Sequence, residues 1–457
     1  MSQIEDPVHH PGTDAALSMA QISGLTERFR ANPKARLAQN AVTQTTADDV
    51  AMDREIVTKA DFSFSTTLDD WAVTNQKRSG RCWMFAALNL LRVGAMKKMG
   101  LKDFEFSQNY TLFWDKFERS NFFFEEVIAT ADKPLSNRLV AHMLNEPLSD
   151  GGQWNMAVNI IRKHGLVPKT VMPESESSSN TRRMNSILKY TLRQGARNLR
   201  LAMSQEQDMN TVRRQKHEML EHIWRILCIH LGTPPSDFHW QWTDKEGEFH
   251  RDGTMTPQEF ATRYVTLPLE DYVCLVHDPR PENPYGTTYT VDFLGNVVGG
   301  EPVVYLNVEM ETMKTLTRRE IEDGTPVWFG CDVGQQMRRD MGLWDSELFD
   351  YQNLYDVPFD LDKVDRLHHH QTLMTHAMLF TGVDVDDETT RRWKVENSWG
   401  ASSGKKGFYL MNDSWFGEYV FEVALPRDAL PDSLRAALNE TPKTLPAWDP
   451  MGALATR

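Results

Sequence analysis

The spacing of hydrophobic positions changes along the chain, from a helical pattern to a strand-like pattern near residue 287. Before that point, apolar residues recur every three or four positions, which predicts amphipathic helices. After it, short apolar runs alternate with Gly and Asp turns, which predicts strands. Helices first and strands later indicate an α+β fold with two lobes.

Several elements are well marked within this pattern. After Cys82, apolar residues fall on one helical face and Gly100 provides a stop, so Cys82 should lie in the first turn of a core helix. Other predicted helices cover residues 17–29, 104–130, 155–163 and the long charged stretch 182–230. The predicted strands are 288–293, 303–308, 326–332, 378–385, 393–396 and 408–411.

The length of 457 residues is too great for one compact core of ordinary size. We expect five segments, separated by changes in composition and, at 174–181, by a polar linker. They are an N-terminal extension (1–60), a helical lobe with Cys82 (61–174), a helical insertion suited to oligomerisation (175–285), a β lobe with His376 and Asn397 (286–440) and a C-terminal arm (441–457), which does not resemble a helix end.

The composition of the chain limits the classes of protein to which it can belong. The chain is 40% hydrophobic and 25% charged, which is typical of a globular protein. Its net charge of -14 opposes binding to nucleic acid or to anionic membranes. No apolar run approaches ~18 residues, so we expect no membrane span. Four scattered cysteines and no visible signal peptide predict a cytoplasmic protein.

Three distant pieces of sequence carry candidate chemistry. Cys82 at a helix N-terminus is a candidate nucleophile, because the helix dipole favours its thiolate. His376 is the candidate base, Asn397 the residue that orients it, and Trp399 a cover for their hydrogen bond. The Gln76 amide and the Cys82 N–H would hold an oxyanion. Each residue alone is more often structural, but together they predict a thiol hydrolase.

Other features predict less. The tract His368-His369-His370 lacks partners at metal-ligand spacing, so we expect a surface loop, no metal and no cofactor. Basic residues between 182 and 200 are interpreted as a solvated helix face or a subunit contact rather than a nucleic-acid site.

These motifs resemble those of papain-fold cysteine peptidases. Gln76, Gly80-Arg81-Cys82-Trp83, His376 and Asn397-Ser398-Trp399-Gly400 match in order and character. Segments 78–91, 150–161, 327–334, 375–383, 393–400 and 448–455 are similar to the bleomycin hydrolase / aminopeptidase C family, and the similarity runs over most of the chain.

This resemblance implies several further properties. It implies an aminopeptidase acting on peptides, and on bleomycin-like amides, within a barrel-like homohexamer. It implies that Gly151 and Gly152 pair with the substrate backbone and that Trp399 contributes to substrate binding. The arm would enter the cleft and hold the substrate's amino group, so Ala455 and Arg457 are also expected to bind substrate. The alternatives are an endopeptidase of the same fold, transfer of the acyl group to amines, and a nucleic-acid-binding protein with an incidental thiol site.

Overall fold

The computed structural model describes residue 12 and residues 15–68 and 71–456, without the side chains of residues 455 and 456. It divides into two compact units. The smaller unit comprises the described residues up to Lys59 together with Glu347–Asp360. The larger unit comprises Ala60–Ser346 and Leu361 to the end of the described chain, and it contains all the candidate site residues that are described.

The α-helices, in chain order, are α1 (Met19–Ala31), α2 (Pro33–Val42), α3 (Ala47–Ala51), α4 (Arg54–Lys59), α5 (Cys82–Met99), α6 (Gln108–Ala129), α7 (Arg138–Asn145), α8 (Trp154–His164), α9 (Glu176–Ser179), α10 (Arg182–Ser204), α11 (Met209–Leu231), α12 (Pro257–Tyr264), α13 (Met310–Glu322), α14 (Tyr351–Tyr355), α15 (Lys363–His368), α16 (Asp413–Tyr419), α17 (Asp432–Ala437) and α18 (Ala453–Thr456). The strands are β1 (Thr66–Thr67), β2 (Phe238–Thr243), β3 (Phe249–Met255), β4 (Tyr272–Val276), β5 (Thr288–Val291), β6 (Tyr305–Asn307), β7 (Val327–Cys331), β8 (Met337–Arg338), β9 (Leu343–Trp344), β10 (His376–Asp386), β11 (Thr389–Glu396), β12 (Phe408–Asn412), β13 (Val420–Pro426) and β14 (Lys443–Leu445). The predicted α+β fold class is confirmed.

The smaller unit is built from short capped helices. Ser18 and Gln21 form a capping box at the start of α1, and the Asn32 side chain caps α2, whose first residue is Pro33. Helix α14 packs against α2 and α3. The predicted helix over 17–29 is therefore present, displaced by two residues.

A large mixed sheet organises the larger unit. Among the described residues, twelve strands form it in the order β14-β5-β6-β4-β13-β7-β10-β11-β12-β9-β8, with β1 paired to β10. Strands β10 and β11 are antiparallel neighbours, with Leu379 opposite Glu396. The start of β10 and the end of β11 therefore meet at one edge, which brings His376 and Asn397 together although 20 residues lie between them in the chain.

Helix α5 connects the helical part of the larger unit to this sheet. It is buried along most of its length and packs against β7 and β10. The indole of Trp328 on β7 donates to the Trp83 carbonyl at 3.1 Å. Gly100 ends the helix in the left-handed conformation, with φ of 64°, as its position after Lys97 and Lys98 predicted.

A buried ion pair ties α5 to the end of β11. The Arg92 guanidinium donates to the Glu396 carboxylate at 2.7 Å, and both side chains are at most 1% exposed. The same carboxylate accepts from the Asn89 amide at 3.0 Å and from the Trp71 indole at 2.8 Å. Since Glu396 directly precedes Asn397, this cluster holds the candidate orienting residue to the helix that begins at Cys82.

The segment 175–285 is less helical than predicted. Helices α10 and α11 account for the long charged pattern, but β2 and β3 then form a hairpin. Strand β4 pairs with β13 and β6 inside the large sheet. Tertiary pairing makes β4 a strand, since its short apolar run fits a buried strand as well as a helix. The predicted domain boundaries themselves stay predictions.

Two local expectations, for the linker and for the arm, were wrong. The predicted linker 174–181 contains α9, and Glu174 binds the buried Arg81 guanidinium through two hydrogen bonds of 2.9 and 2.7 Å. The basic residues of α10 lie on an exposed or half-buried face as expected, where Arg193 also donates to carbonyls at the end of α7 and Arg200 to that of Thr130 after α6. The arm does end in a helix, α18, preceded by a 3-10 turn.

One buried acid lies in the sheet without a charged partner. Glu422 on β13 is fully buried, and its Cβ lies beside Gly330 on β7. Neither carboxyl oxygen has a conventional hydrogen-bond partner among the described residues, although the Cys274 thiol lies next to it. Burial raises the pKa of Glu422 to about 8, so this side chain is a neutral acid at pH 7.

Within residues 15–68 and 71–456, no helix combines the length and the apolar character that crossing a bilayer requires.

Glu422→Gln should reduce the loss of stability with rising pH. Between the ordinary value of 4.5 and about 8, the unfolded chain has released a proton that folded Glu422 retains. Its stabilising contribution is therefore complete below pH 4.5 and lost as the pH rises towards 8, by about 1.4 kcal/mol per pH unit. Urea denaturation from pH 5 to 8 measures the difference between wild type and variant. Parallel pH dependences would contradict the assignment.

Glu396→Gln should lower the free energy of unfolding by about 3 kcal/mol, because it leaves the buried Arg92 charge with only the exposed Asp103 carboxylate at 3.8 Å as an ionic partner among the described residues. The double variant with Arg92→Met should lose less than the two single losses added together, since both single changes break the same contact. Urea denaturation of the four proteins measures this coupling. The exposed pair Lys59–Glu55 offers a matched control, in which Glu55→Gln should cost less than about 1 kcal/mol.

Candidate active site

Cys82 is the first residue of α5 and is 3% exposed. The backbone N–H groups of Ala377, Trp83 and Cys82 itself lie close enough to the sulfur to favour its thiolate, and the thiol donates to the Gly80 carbonyl at 4.0 Å. The Ala377 contact places the thiol against the strand position that follows His376. Helix α5 and strand β10 therefore bring the candidate nucleophile and the candidate base to the same point.

His376 begins β10 opposite Cys331 on β7 and is 4% exposed. Its Nε2 lies 2.9 Å from Oδ1 of Asn397, which is fully buried. Asn397 Oδ1 also accepts from the Ser398 N–H at 2.7 Å, so the amide is fixed in one orientation. Holding Nε2 in this way leaves Nδ1 as the ring nitrogen for proton exchange with substrate and thiol.

Burial sets the charge state of this pair. Burial raises the pKa of Cys82 to about 11, against the backbone N–H groups that favour the thiolate. Burial lowers the pKa of His376 to about 4; the Asn397 hydrogen bond opposes this shift and the charge of Arg339 adds to it. Desolvation therefore favours a neutral thiol beside a neutral imidazole, from which His376 can take the Cys82 proton. Desolvation outweighs the helix N-terminus in this closed site.

Gln76 is held rigidly beside Cys82. Its carbonyl oxygen accepts from the Ser398 hydroxyl at 2.6 Å, and its amide donates to the Ser79 carbonyl at 2.6 Å. The Ser79 hydroxyl in turn donates to the backbone carbonyl of Gln76 and accepts from Arg81 Nε. An amide NH₂ has two donors, so one N–H of Gln76 remains for an oxyanion.

The loop that contains Gly151 and Gly152 is clamped from several sides. A Cβ at Gly152 would lie 2.5 Å from the Trp83 ring, so only glycine fits there. The Gly151 carbonyl accepts from Arg119 at 2.8 Å, and its N–H donates to the Ser149 hydroxyl. These intramolecular bonds occupy Gly151 and leave Gly152 as the better candidate for pairing with a substrate.

Asp150, directly before these glycines, connects the loop to the nucleophile. Its carboxylate accepts from the Gly80 N–H at 3.1 Å and pairs with Lys116 at 2.6 Å. Burial works to raise the pKa of Asp150, but Lys116 and the hydrogen bonds from Thr181 and Asn185 outweigh it and hold the pKa well below its usual range. Asp150 is therefore a buried anion whose partners come from three separate segments of the chain.

Trp399 lies over the base as predicted, with its ring centroid 4.9 Å from that of His376. The arm lies close to the same strands, because Leu454 Cδ2 is within 3.5 Å of the Cβ position of Gly330, the residue opposite Ala377. Asp449 anchors the arm through the buried Arg280 guanidinium. Arg457 and the side chain of Ala455, both predicted to bind substrate, lie outside the described residues.

One group in the described ranges has the geometry of a metal site. Ligand atoms of Asp244, Glu248 and His250 lie within 4.8 Å of one another at the β2–β3 turn. His250 is already 2.8 Å from the Asp244 carboxylate, which also accepts from two backbone N–H groups of the turn. The turn itself explains this cluster. In the His368–His370 tract, His368 pairs with Glu282 at 2.9 Å.

Several residues that shape the site were missed in the sequence. Asn89 and Arg92 are polar positions three apart on an otherwise apolar helix, a signal that both face a buried partner. Arg339, above Trp399, carries no local signal, because a β8–β9 loop brings it to the site. Spatial neighbours of this kind depend on the folded chain.

Comparison with known proteins supports the same assignment. Residues 16–452 match the model of the Peptidase C1-like family. Aminopeptidase C of Lactobacillus delbrueckii subsp. lactis is 42% identical over 442 residues, covering 96% of this chain and 98% of that protein. Bleomycin hydrolase of Homo sapiens is 41% identical over 453 residues, covering 97% and 100%.

A solved structure is also similar. The crystal structure of pepw from Lactobacillus rhamnosis has a TM-score of 0.94 and 41% identity, and the match covers 96% of this chain and 99% of that one. Both the sequence and the fold agree over nearly the whole length. The chain therefore belongs to the Peptidase C1-like family and has its papain-like α+β fold.

Proposed function

We propose that this protein is a cysteine aminopeptidase that removes N-terminal residues from peptides. The observation that carries the proposal is the juxtaposition of the Cys82 thiol with the backbone of the His376 strand, beside a His376–Asn397 hydrogen bond of 2.9 Å. Two of its relatives bear the names aminopeptidase C and bleomycin hydrolase, which supports the same activity. Action on bleomycin-like amides is part of the proposal.

Acylation starts from the neutral pair. His376 takes the Cys82 proton as the sulfur attacks the substrate carbonyl carbon, so the net charge of the site does not change. The oxyanion that forms accepts from the Gln76 amide and the Cys82 N–H. His376 then gives its proton to the leaving amine as the C–N bond breaks, and a thioester remains.

Water completes the reaction. A water molecule gives a proton to His376 and adds to the thioester carbonyl, and the sulfur leaves and regains its proton from His376. Asn397 keeps the imidazole oriented through both steps, and Trp399 shields their hydrogen bond from solvent. Gly152 is the proposed partner of the substrate backbone on the acyl side of the scissile bond.

The buried arm favours an aminopeptidase over an endopeptidase. Met451 and Leu454 are each 2% exposed, and the Met451 carbonyl accepts from the Tyr305 hydroxyl at 3.1 Å. An arm fixed beside β7 and β10 would obstruct a chain that extends beyond the N-terminal residue. A carboxylate at its end would attract the substrate's ammonium group.

Two further properties stay predictions. A cytoplasmic location agrees with four cysteines that are all free thiols in the structure. Assembly into a homohexamer is supported by the family resemblance alone, and we expect no nucleic-acid binding from a chain of net charge -14.

Cys82→Ser should abolish release of leucine from leucine amides, because a serine hydroxyl in this site is a far weaker nucleophile than the thiol. Its urea denaturation midpoint should match that of wild type. Cys228→Ser is the matched control, since this half-buried cysteine lies on α11, and it should retain full activity. Turnover by the Cys82→Ser protein would refute the proposed nucleophile.

Deletion of residues 453–457 should raise hydrolysis of N-acetylated peptides relative to peptides with a free amino group. The deletion removes the end of the arm but keeps Asp449 and Met451, which anchor the rest of it. Competition between a free and an acetylated peptide of the same sequence, followed by mass spectrometry, measures the preference. An unchanged preference would show that the arm does not select the free N-terminus.

A further inference from the structure

An exposed arginine lies one aromatic ring away from the candidate base. The Arg339 guanidinium carbon is 4.4 Å above the centroid of the Trp399 ring, and Trp399 lies over His376. Arg339 belongs to the loop between β8 and β9, and its guanidinium also interacts with the Tyr409 hydroxyl. The aromatic contact fixes the position of a positive charge beside the site.

This charge has no anionic partner in the part of the chain that the structure describes. The adjacent carboxylate, Asp340, is held by Arg338 at 2.7 Å. No ion pair of Arg339 itself is found among the described residues. Two other arginines near the site differ from Arg339, because Arg81 and Arg92 are both buried and each forms an ion pair with a carboxylate.

Without a bound anion, the charge of Arg339 disfavours the acylation step. His376 becomes an imidazolium when it takes the Cys82 proton, and a neighbouring guanidinium repels that charge. The charge of Arg339 already works against protonation of His376. A compensating benefit must therefore come from an anion that arrives with the substrate.

The mechanism defines on which side of the scissile bond that anion would lie. His376 must protonate the leaving amine, so the leaving group lies against His376 and its cover, Trp399. The end of the arm instead contacts Gln153, Tyr305 and Gly330. Arg339 therefore faces the leaving-group side, and the arm occupies the acyl side.

A second cation borders the same tryptophan. The backbone of Asn75 pairs with Trp399 in an isolated bridge, and Lys77 follows two residues later. Lys77 is exposed and held in the left-handed conformation, with φ of 56°, by its N–H bond to the Asn75 side chain at 2.9 Å. No ion pair of Lys77 is found within the described ranges either. Arg339 and Lys77 are thus two exposed cations in chain segments that adjoin Trp399, on a protein with net charge of -14.

We propose that Arg339 is a specificity-determining residue that binds the carboxylate of the leaving group, so that dipeptides with a free C-terminus are preferred substrates. In a dipeptide the leaving group is an amino acid, and its α-carboxylate is two bonds from the nitrogen that His376 protonates. A planar guanidinium suits this carboxylate, which it can bind through two parallel hydrogen bonds. The inference rests on the proposed aminopeptidase function and specifies its substrate class.

The test compares leucyl-glycine with leucyl-glycinamide, which differ only in the leaving-group carboxylate. Release of leucine gives kcat/KM for each, and their ratio is measured for wild type, Arg339→Gln, Arg339→Lys and the control Arg391→Gln. Arg391 is an exposed arginine at the far end of the β10–β11 hairpin, and its replacement by Gln removes the same charge as Arg339→Gln. Using a ratio cancels any effect of the substitution on the pKa of His376.

Wild type should favour the dipeptide, and Arg339→Gln should lower the ratio by about fivefold, the factor expected for a partly exposed ion pair. Arg339→Lys should restore part of the preference, Arg391→Gln should leave the ratio at the wild-type value, and added salt should reduce it in wild type. A ratio that is equal in wild type and Arg339→Gln, with both substrates hydrolysed, would overturn this inference and leave the aminopeptidase proposal intact. Failure of wild type to hydrolyse either substrate would overturn both.

Discussion

The buried pair of Arg92 and Glu396 is the contact on which the site depends. The nucleophile and the base come from elements that are far apart in the chain, α5 and the β10–β11 pair. Glu396 lies next to Asn397 and binds Arg92, Asn89 and Trp71, all from the segment around the nucleophile. Two desolvated charges tolerate little displacement, because the energy of a buried pair is lost when its geometry changes. The pair thus fixes the distance between the two halves of the site.

The same desolvation determines the protonation of the site. A thiol and an imidazole that are both buried hold their neutral forms more strongly than they would in water. Moving one proton between them creates two opposite charges side by side, which the helix N-terminus and the Asn397 carbonyl stabilise. Burial therefore disfavours a net change in the charge of the site, whereas proton transfer from Cys82 to His376 leaves the net charge unchanged. Unlike these groups, Arg339 destabilises the imidazolium of His376. This unfavourable effect is the reason to propose that Arg339 binds an anionic group of the substrate.

Two further buried charged clusters hold chain segments in place around Cys82 and along the arm. The Asp150 carboxylate pairs with Lys116 and accepts hydrogen bonds from Thr181, Asn185 and the Gly80 N–H. These contacts fix the loop before the nucleophile. Arg280 holds Asp449 and with it the arm. Both clusters connect segments with no sequence proximity. The loop before Cys82 and the arm are therefore each held in place by a buried ion pair.

Much of this protein follows from local sequence. The helix after Cys82 follows from its apolar face and Gly100, and the strands 327–331 and 376–386 from their apolar runs, because burial and turn chemistry act over a few residues. The grouping of Gln76, Cys82, His376 and Asn397 follows from their types and order. The sequence did not reveal β4 as a strand of the sheet, the helix in the arm, the neutral state of the thiol or Arg339 above Trp399. Each of these depends on neighbours distant in the chain: strand partners for β4, desolvation for Cys82 and a loop position for Arg339. Residue spacing carries no information about such contacts, and only the tertiary structure decides them.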